Sequence, residues 1–186
     1  MIGDRWGVSE GEVARAYPCD EFVAEPVWQA LASAGRTAGL VPAGLAARDT
    51  LRLEAGMPLY GNELGPDTTP YDAGLGRVVK FDKPGGFVGA AALGERAQAT
   101  PGRVLAGLTM ASRRVPRHGY TVLAAGQPAG TVTSGAPSPT LGVPIALAYL
   151  TPEAMSAGPG ELAVDIRGRA EPAQLTDLPF YRRTRT

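Results

Sequence analysis

Apolar and polar positions change their spacing along this chain, from a helical period to short alternating runs. The helical spacing predicts four helices, at Glu10–Tyr17, Pro26–Ala34, Ala43–Ala55 and Gly89–Ala99. The third consists of good helix formers, and Gly56 stands where a C-terminal cap is needed. Residues 57–82 predict irregular structure with one short strand, Arg77–Phe81. Thr100-Pro101-Gly102 then interrupts the pattern, and we predict a domain boundary there.

Beyond residue 102 the spacing is that of strands. Six short strands are predicted, at Val104–Met110, Tyr120–Leu123, Gly130–Ser134, Ile145–Leu150, Leu162–Ile166 and Ala170–Leu175. Residues 125–128 and 167–169 have the composition of hairpin turns. This many strands in so short a length predict a small antiparallel barrel. The predicted fold is therefore α+β, with a leader of unclear origin over residues 1–25, a partial mixed helix/sheet segment over 26–99, and a β-barrel domain over 102–181.

The composition narrows the class of protein. Glycine (25) and proline (17) are spread between apolar segments, as in proteins with many tight turns. The 18 basic and 18 acidic residues balance, which argues against nucleic acid or an acidic membrane as a partner. The longest apolar runs, such as Pro144–Leu150, are too short to span a bilayer, and the first residues lack the features of a signal peptide. A single cysteine, Cys19, fits a reducing compartment, so we expect a cytoplasmic location.

Few residues have the pattern of a catalytic or metal site. The one histidine, His118, and the one cysteine stand far apart, so a zinc site is not expected. His118 could form a catalytic triad with Ser134 or Ser138, but neither serine lies in a Gly-x-Ser-x-Gly elbow. A solvated histidine in a turn is the favoured interpretation. Gly158-Pro159-Gly160 precedes a predicted strand instead of opening a helix, which indicates a turn and not a phosphate-binding loop.

Arg48 is the charged residue of greatest interest. Its helix carries four charged residues in one short stretch, Arg48, Asp49, Arg52 and Glu54. A guanidinium held on a helix can bind a carboxylate ligand through two parallel hydrogen bonds. Arg48 could equally form a structural ion pair with Asp49 or Glu54, and the spacing alone leaves both alternatives open.

One long motif surrounds this helix, GLAARDTLRLEAGMPLYGNEL over residues 44–64. Further motifs follow in order, at Thr68–Pro70, Ala73–Gly76, Gly86–Gly89, Arg117–Tyr120, Gly130–Gly135, Ser138–Gly142, Ile145–Tyr149 and Leu178–Tyr181. Together these segments resemble the C-terminal half of the glycine cleavage T-protein (aminomethyltransferase) family. The resemblance is collinear and runs from the region of Gly39 to Tyr181.

The resemblance implies a function. Members of this family take the aminomethyl group carried on the lipoyl arm of H-protein, release ammonia and pass the one-carbon unit to tetrahydrofolate. Carried onto this chain, the resemblance implies that Arg48 faces bound tetrahydrofolate and that Tyr181 approaches the same cavity. Tetrahydrofolate is then the acceptor substrate, and lipoylated H-protein is the partner.

Two departures from the family pattern bear on activity. The N-terminal half of the family, which this chain does not resemble, supplies the catalytic aspartate, so no catalytic residue is assigned here. Arg77 stands where the family commonly has an aromatic residue, which would remove a stacking contact of about 1 kcal/mol with folate. We therefore expect a C-terminal half that is not active alone and that works with a separate N-terminal half. The alternatives are a non-catalytic tetrahydrofolate-binding or scaffold module, and a truncated remnant.

Overall fold

A computed structural model describes residues 21–183 of this 186-residue chain. The predicted helix Glu10–Tyr17, Cys19 and most of the predicted leader lie outside the described residues. Within the described range, three α-helices precede six β-strands, in agreement with an α+β fold. The chain divides into two compact units, with the division between Gly44 and Leu45. None of the described helices is long and apolar enough to cross a membrane.

The first unit contains helix α1, Glu21–Gly35, followed by a 3-10 turn over Arg36–Ala38. The predicted helix start at Pro26 is wrong, because α1 begins five residues earlier and Pro26 lies inside it. The fixed φ of proline is compatible with a helix, and the missing N–H removes only one backbone hydrogen bond. The polypeptide then leaves the helical direction at Gly39, whose φ of 79° is a left-handed conformation that glycine adopts readily.

The second unit opens with helix α2, Leu45–Glu54, which confirms the third predicted helix. Gly56 ends it in the predicted position, with a φ of 66°. The N–H of Gly56 donates to the carbonyl of Leu53 over 2.9 Å, and the N–H of Met57 donates to that of Arg52 over 2.8 Å. These two bonds form a Schellman motif, which satisfies carbonyls that a helix end otherwise leaves unpaired.

Residues 57–82 are irregular, as predicted, but the strand expected at Arg77–Phe81 is wrong. Gly76–Val78 form a short 3-10 turn instead. A strand requires a partner for its backbone hydrogen bonds, and within the described residues the only bridge in this region joins Tyr60 and Leu64. Helix α3, Ala90–Gln98, then confirms the fourth predicted helix.

The six strands form a closed antiparallel barrel in the order β1-β4-β3-β2-β5-β6, which confirms the predicted barrel. They are β1 Val104–Met110, β2 Thr121–Ala124, β3 Gln127–Pro137, β4 Pro144–Leu150, β5 Leu162–Asp165 and β6 Ala170–Thr176. Both predicted hairpin turns are present. Positive φ values at Ala125 and Gly126, and again at Arg167 and Gly168, match the primed turns that suit twisted strand pairs.

Strand β4 is buried along its whole length, because both of its faces are covered. Ala146, Ala148 and Leu150 point into the barrel core. Ile145 and Leu147 belong to a second cluster on the outer face of the barrel, where Leu53 of α2 packs against them. Helix α2 is therefore attached to the outside of the barrel.

Candidate functional site

Helix α2 is buried at its last turn and exposed at its first. Arg52, Leu53 and Glu54 are at most 9% exposed, whereas Leu45 is 83% exposed. Successive helical residues are about 100° apart, so three buried neighbours enclose about half of the circumference of the helix. The face shared by Ala47 and Leu51 is exposed, and α2 contacts the barrel mainly through its C-terminal turn.

A buried ion pair joins this turn to the loop that follows it. Arg52 Nη1 lies 3.0 Å from Glu63 Oε2, and Arg52 Nη2 donates to Ser134 Oγ over 2.7 Å. Ser134 donates its hydroxyl to Glu63 Oε1 over 2.6 Å, and the N–H of Leu59 donates to Glu63 Oε2 over 2.8 Å. Both oxygens of this fully buried carboxylate are therefore satisfied, as the burial of a charge requires.

A β-bulge in β3 directs Ser134 toward this ion pair. Val132 is opposite Ala148 and points into the barrel, but the register shifts after it, so that Ser134 is opposite the outward-facing Leu147. Without the extra residue, Thr133, the alternation of a strand would turn Ser134 inward. The Thr133 hydroxyl donates instead to the Leu147 carbonyl over 3.0 Å.

Glu54 forms a second buried link between α2 and the barrel. Ser138 donates its hydroxyl to Glu54 Oε1, while the hydroxyl and the N–H of Thr140 donate to the same carboxylate over 2.8 and 3.2 Å. Burial acts to raise the pKa of Glu54, but the hydrogen bonds from Ser138 and Thr140 outweigh it, and the pKa is lowered from its ordinary value of 4.5. Glu54 therefore stays ionised where it is buried.

We expect Glu54→Gln to reduce the loss of stability on acidification. Because the folded state lowers the pKa of Glu54, this carboxylate stabilises the fold fully above its ordinary pKa, and the contribution is lost as pH falls through the folded value. Urea unfolding of wild type and variant, at one pH well above and one below about 4.5, measures the difference. The exposed Glu95→Gln is the matched control. An equal loss of stability in wild type and Glu54→Gln would contradict the expectation.

Arg48 lies on the exposed first turn of α2. The structural alternative, an ion pair of Arg48 with Asp49 or Glu54, is not formed. Asp49 pairs with Arg52 at 2.7 Å, and Glu54 is bound by the 138–140 segment. Within residues 21–183, Arg48 takes part in no ion pair, so its guanidinium is available to a ligand.

Tyr181 is held at the other end of α2. Its N–H donates to the Glu54 carbonyl over 3.0 Å. Leu178 and Phe180 pack on the cluster that contains Leu53, so the segment before Tyr181 is fixed to the same helix. Six residues of helix separate Arg48 from Glu54, or about 9 Å along the axis. The Tyr181 side chain is 45% exposed, as a ligand contact requires.

A cavity of about 320 Å³ lies beside the ion pair, between the 60–68 loop and the barrel. The Arg103 guanidinium stacks over the Tyr149 ring at 4.3 Å and donates to the Thr68 hydroxyl over 2.9 Å. The Tyr149 hydroxyl donates to the Glu63 carbonyl over 2.8 Å, and burial raises the pKa of that phenol. Tyr149 therefore supports the loop that carries Glu63.

The structure does not bring His118 together with either candidate serine. His118 is exposed in a turn, as favoured, and its Nδ1 lies 2.9 Å from the Thr133 carbonyl. The hydroxyls of Ser134 and Ser138 are bound by Arg52, Glu63 and Glu54. The triad alternative is wrong. No group of histidine, cysteine and carboxylate side chains able to hold a metal ion occurs among the described residues.

Large apolar side chains are exposed over much of the chain that precedes the barrel. Those that are at least 49% exposed are Trp28, Leu31, Leu40, Val41, Leu45, Leu51, Met57, Tyr60, Val78, Phe81 and Val88. Within the first unit, Trp28, Leu31 and Leu40 help to line a mainly apolar cavity of about 290 Å³. Exposed apolar surface of this extent is typical of sites that contact another polypeptide.

Two family profiles match the chain. The profile described as the glycine cleavage T-protein C-terminal barrel domain matches residues 103–182, which contain the whole barrel. The profile described as the GCVT N-terminal domain matches residues 17–83, which contain Arg48, Arg52 and Glu63. The second match begins inside the predicted leader. It assigns α2 and the loop after it to the GCVT N-terminal domain.

Individual relatives agree with both profiles. Over 160 residues the chain is 62% identical to an aminomethyltransferase of Streptomyces coelicolor, covering 84% of this chain and 43% of the relative. It is 55% identical over 164 residues to an aminomethyltransferase of Moorella thermoacetica, covering 88% of this chain and 44% of that relative. The solved structure of glycine cleavage system aminomethyltransferase T from Bartonella henselae superposes with a TM-score of 0.72 at 34% identity, covering 85% of this chain and 44% of that one. The chain thus spans less than half the length of these relatives.

Proposed function

The chain belongs to the glycine cleavage T-protein family, of which it represents the C-terminal part, and from this premise we propose that it takes part in aminomethyl transfer to tetrahydrofolate. In this reaction the aminomethyl group on the lipoyl arm of H-protein gives its one-carbon unit to tetrahydrofolate, and ammonia is released. Lipoylated H-protein is the proposed partner, tetrahydrofolate the proposed acceptor, and the cytoplasm the proposed location.

The observation that carries this proposal is the common attachment of Arg48 and Tyr181 to α2. Arg48, on the first turn, takes part in no ion pair among residues 21–183, and Tyr181 is bound by its backbone to the last residue of the helix. A guanidinium suits a ligand carboxylate, and a phenol offers both an aromatic face and a hydrogen bond. We propose that both side chains contact tetrahydrofolate. We also propose that residues 26–99 form the folate-binding segment and residues 102–181 the barrel domain.

We propose further that transfer requires a polypeptide corresponding to the part of the relatives that this chain does not match. Positioning two reactants against each other needs an enclosed site, since a large part of the rate advantage can come from their fixed orientation. The exposed apolar side chains between Leu45 and Val88 support such a contact. The same exposed side chains also support the alternative that the chain is a truncated remnant without activity.

A second candidate is a tetrahydrofolate-binding or scaffold module without turnover. Arg77 supports it, because this residue is exposed on a 3-10 turn and offers no aromatic ring to a folate. An activity assay separates this candidate from the first.

The assay measures ammonia release from aminomethylated H-protein in the presence of tetrahydrofolate. The chain is tested alone and together with the part of the Streptomyces coelicolor relative that it does not match. We expect release from the mixture and not from either part, because each supplies only a portion of the site. The full-length relative is the positive control. Binding of tetrahydrofolate without release in any mixture would favour the module, and neither binding nor release would contradict both candidates.

A further inference from the structure

The buried ion pair of Arg52 and Glu63 is difficult to explain by stability alone. The Arg52 side chain is 8% exposed and that of Glu63 is 0% exposed, so both charges have lost most of their water. Well-packed apolar residues of similar volume often stabilise a fold as much as a buried ion pair does, or more. In some proteins, buried polar or ionic groups select one geometry among several.

The network helps to specify the orientation of α2, together with the packing of Leu53 and the hydrogen bonds of Glu54. Arg52 donates through Nε to Asp49 over 2.7 Å, through Nη1 to Glu63, and through Nη2 to Ser134. Glu63 in turn binds the Leu59 N–H, so the loop is held as well. Since all three nitrogens of the planar guanidinium are hydrogen-bonded, a small rotation of the helix would break several hydrogen bonds at once.

The direction of the Arg48 side chain depends on this orientation, because no ion pair among the described residues holds its guanidinium. Arg48 lies one helical turn before Arg52, about 6 Å along the axis and about 40° around it. The first turn of α2 is exposed, and Leu45 is 83% exposed, so packing does not fix this end of the helix. The buried C-terminal turn of α2 therefore determines the direction in which the Arg48 side chain leaves the helix.

We propose that Arg52, Glu63 and Ser134 form a positioning network, which sets the rotation of α2 and thereby the direction in which Arg48 meets its ligand. The ligand part of this inference rests on the proposed function, whereas the rotational part does not. The three residues act through Arg48 and do not themselves touch tetrahydrofolate.

The test uses Arg52→Met/Glu63→Leu, which removes both charges and keeps apolar volume in their place. We expect a thermal unfolding midpoint close to that of wild type, together with about tenfold weaker tetrahydrofolate binding in calorimetry. Adding Arg48→Ala to this variant is expected to cause no loss beyond that of Arg48→Ala alone. Wild-type affinity in the folded double variant, or fully additive losses, would overturn the proposal.

A second readout does not depend on folate. Hydrogen exchange of the α2 amides is expected to be about tenfold faster in the double variant than in wild type at an equal unfolding midpoint, because a helix that the network no longer holds opens locally more often. Unchanged exchange would overturn the proposal even if the wild-type chain bound no tetrahydrofolate, a result that would refute only the proposed function. If the double variant does not fold, Ser134→Ala, which removes one hydroxyl of the network, takes its place. An unchanged exchange rate of the α2 amides in that variant would also overturn the proposal.

Discussion

Replacing Glu63 alone with leucine is expected to lower the free energy of unfolding by about 3–5 kcal/mol, because the substitution leaves Arg52 buried without its counter-ion. The guanidinium is enclosed by α2, the 57–64 loop and β3, and its side chain is only 8% exposed. Two hydrogen bonds to the Glu63 carboxylate, from the Ser134 hydroxyl and the Leu59 N–H, are lost as well. Urea unfolding followed by far-ultraviolet circular dichroism measures the change.

The matched control for this prediction is Glu95→Leu on α3. Glu95 is exposed and has no ion pair within the described residues, so its replacement is expected to change stability by less than about 0.5 kcal/mol. A Glu63→Leu variant as stable as this control would show that the Arg52 charge is hydrated in solution. Such a result would also remove the basis for the positioning network.

Leu108→Ala is expected to destabilise the barrel by about 2–5 kcal/mol. Leu108 is fully buried at the centre of β1, among the inward-facing side chains of several strands. Truncation removes the burial of three carbon atoms and leaves a cavity, because a closed barrel restricts the movement of the remaining strands toward the gap.

Leu45→Ala makes the same chemical change at a position that is 83% exposed, and should cost less than about 0.5 kcal/mol. Thermal unfolding of the two variants beside wild type provides the comparison. Equal midpoints for Leu108→Ala and Leu45→Ala would contradict the assignment of Leu108 to the core.

The barrel was predictable from the sequence because its signals are local. The apolar run Ile145–Leu150 predicts a strand, and β4 contains this run. The turn compositions at residues 125–128 and 167–169 coincide with positive φ values. Each of these patterns depends on residues that are adjacent in the chain, so no knowledge of the tertiary structure was necessary.

One error arose where the structure depends on a distant partner, and the other where a local rule is not absolute. Arg77–Phe81 has the composition of a strand, but no described strand lies beside it to accept its hydrogen bonds. Helix α1 extends before Pro26, because proline weakens a helix at that position without necessarily ending it. In both cases the local preference of the residues does not determine the structure that they adopt.

The positioning network could not be predicted from spacing. Arg52 lies on α2, whereas Glu63 lies in the non-helical loop that follows. A bulge at Thr133 directs Ser134 of the barrel toward both of them. Glu63 lies inside the long 44–64 motif, but nothing in the sequence indicates its partner. Arg48 as a folate contact came from the family resemblance, and the structure adds that its structural alternatives are occupied by other partners.

Calorimetric titration of the purified chain with tetrahydrofolate tests most directly whether α2 carries a folate contact. Wild type is compared with Arg48→Ala and with Arg113→Ala, an exposed arginine on the barrel unit that serves as the control. We predict micromolar binding that Arg48→Ala weakens at least about tenfold, or about 1.4 kcal/mol, and that Arg113→Ala leaves unchanged. A folded wild-type chain without detectable binding, or equal affinities for wild type and Arg48→Ala, would contradict the account.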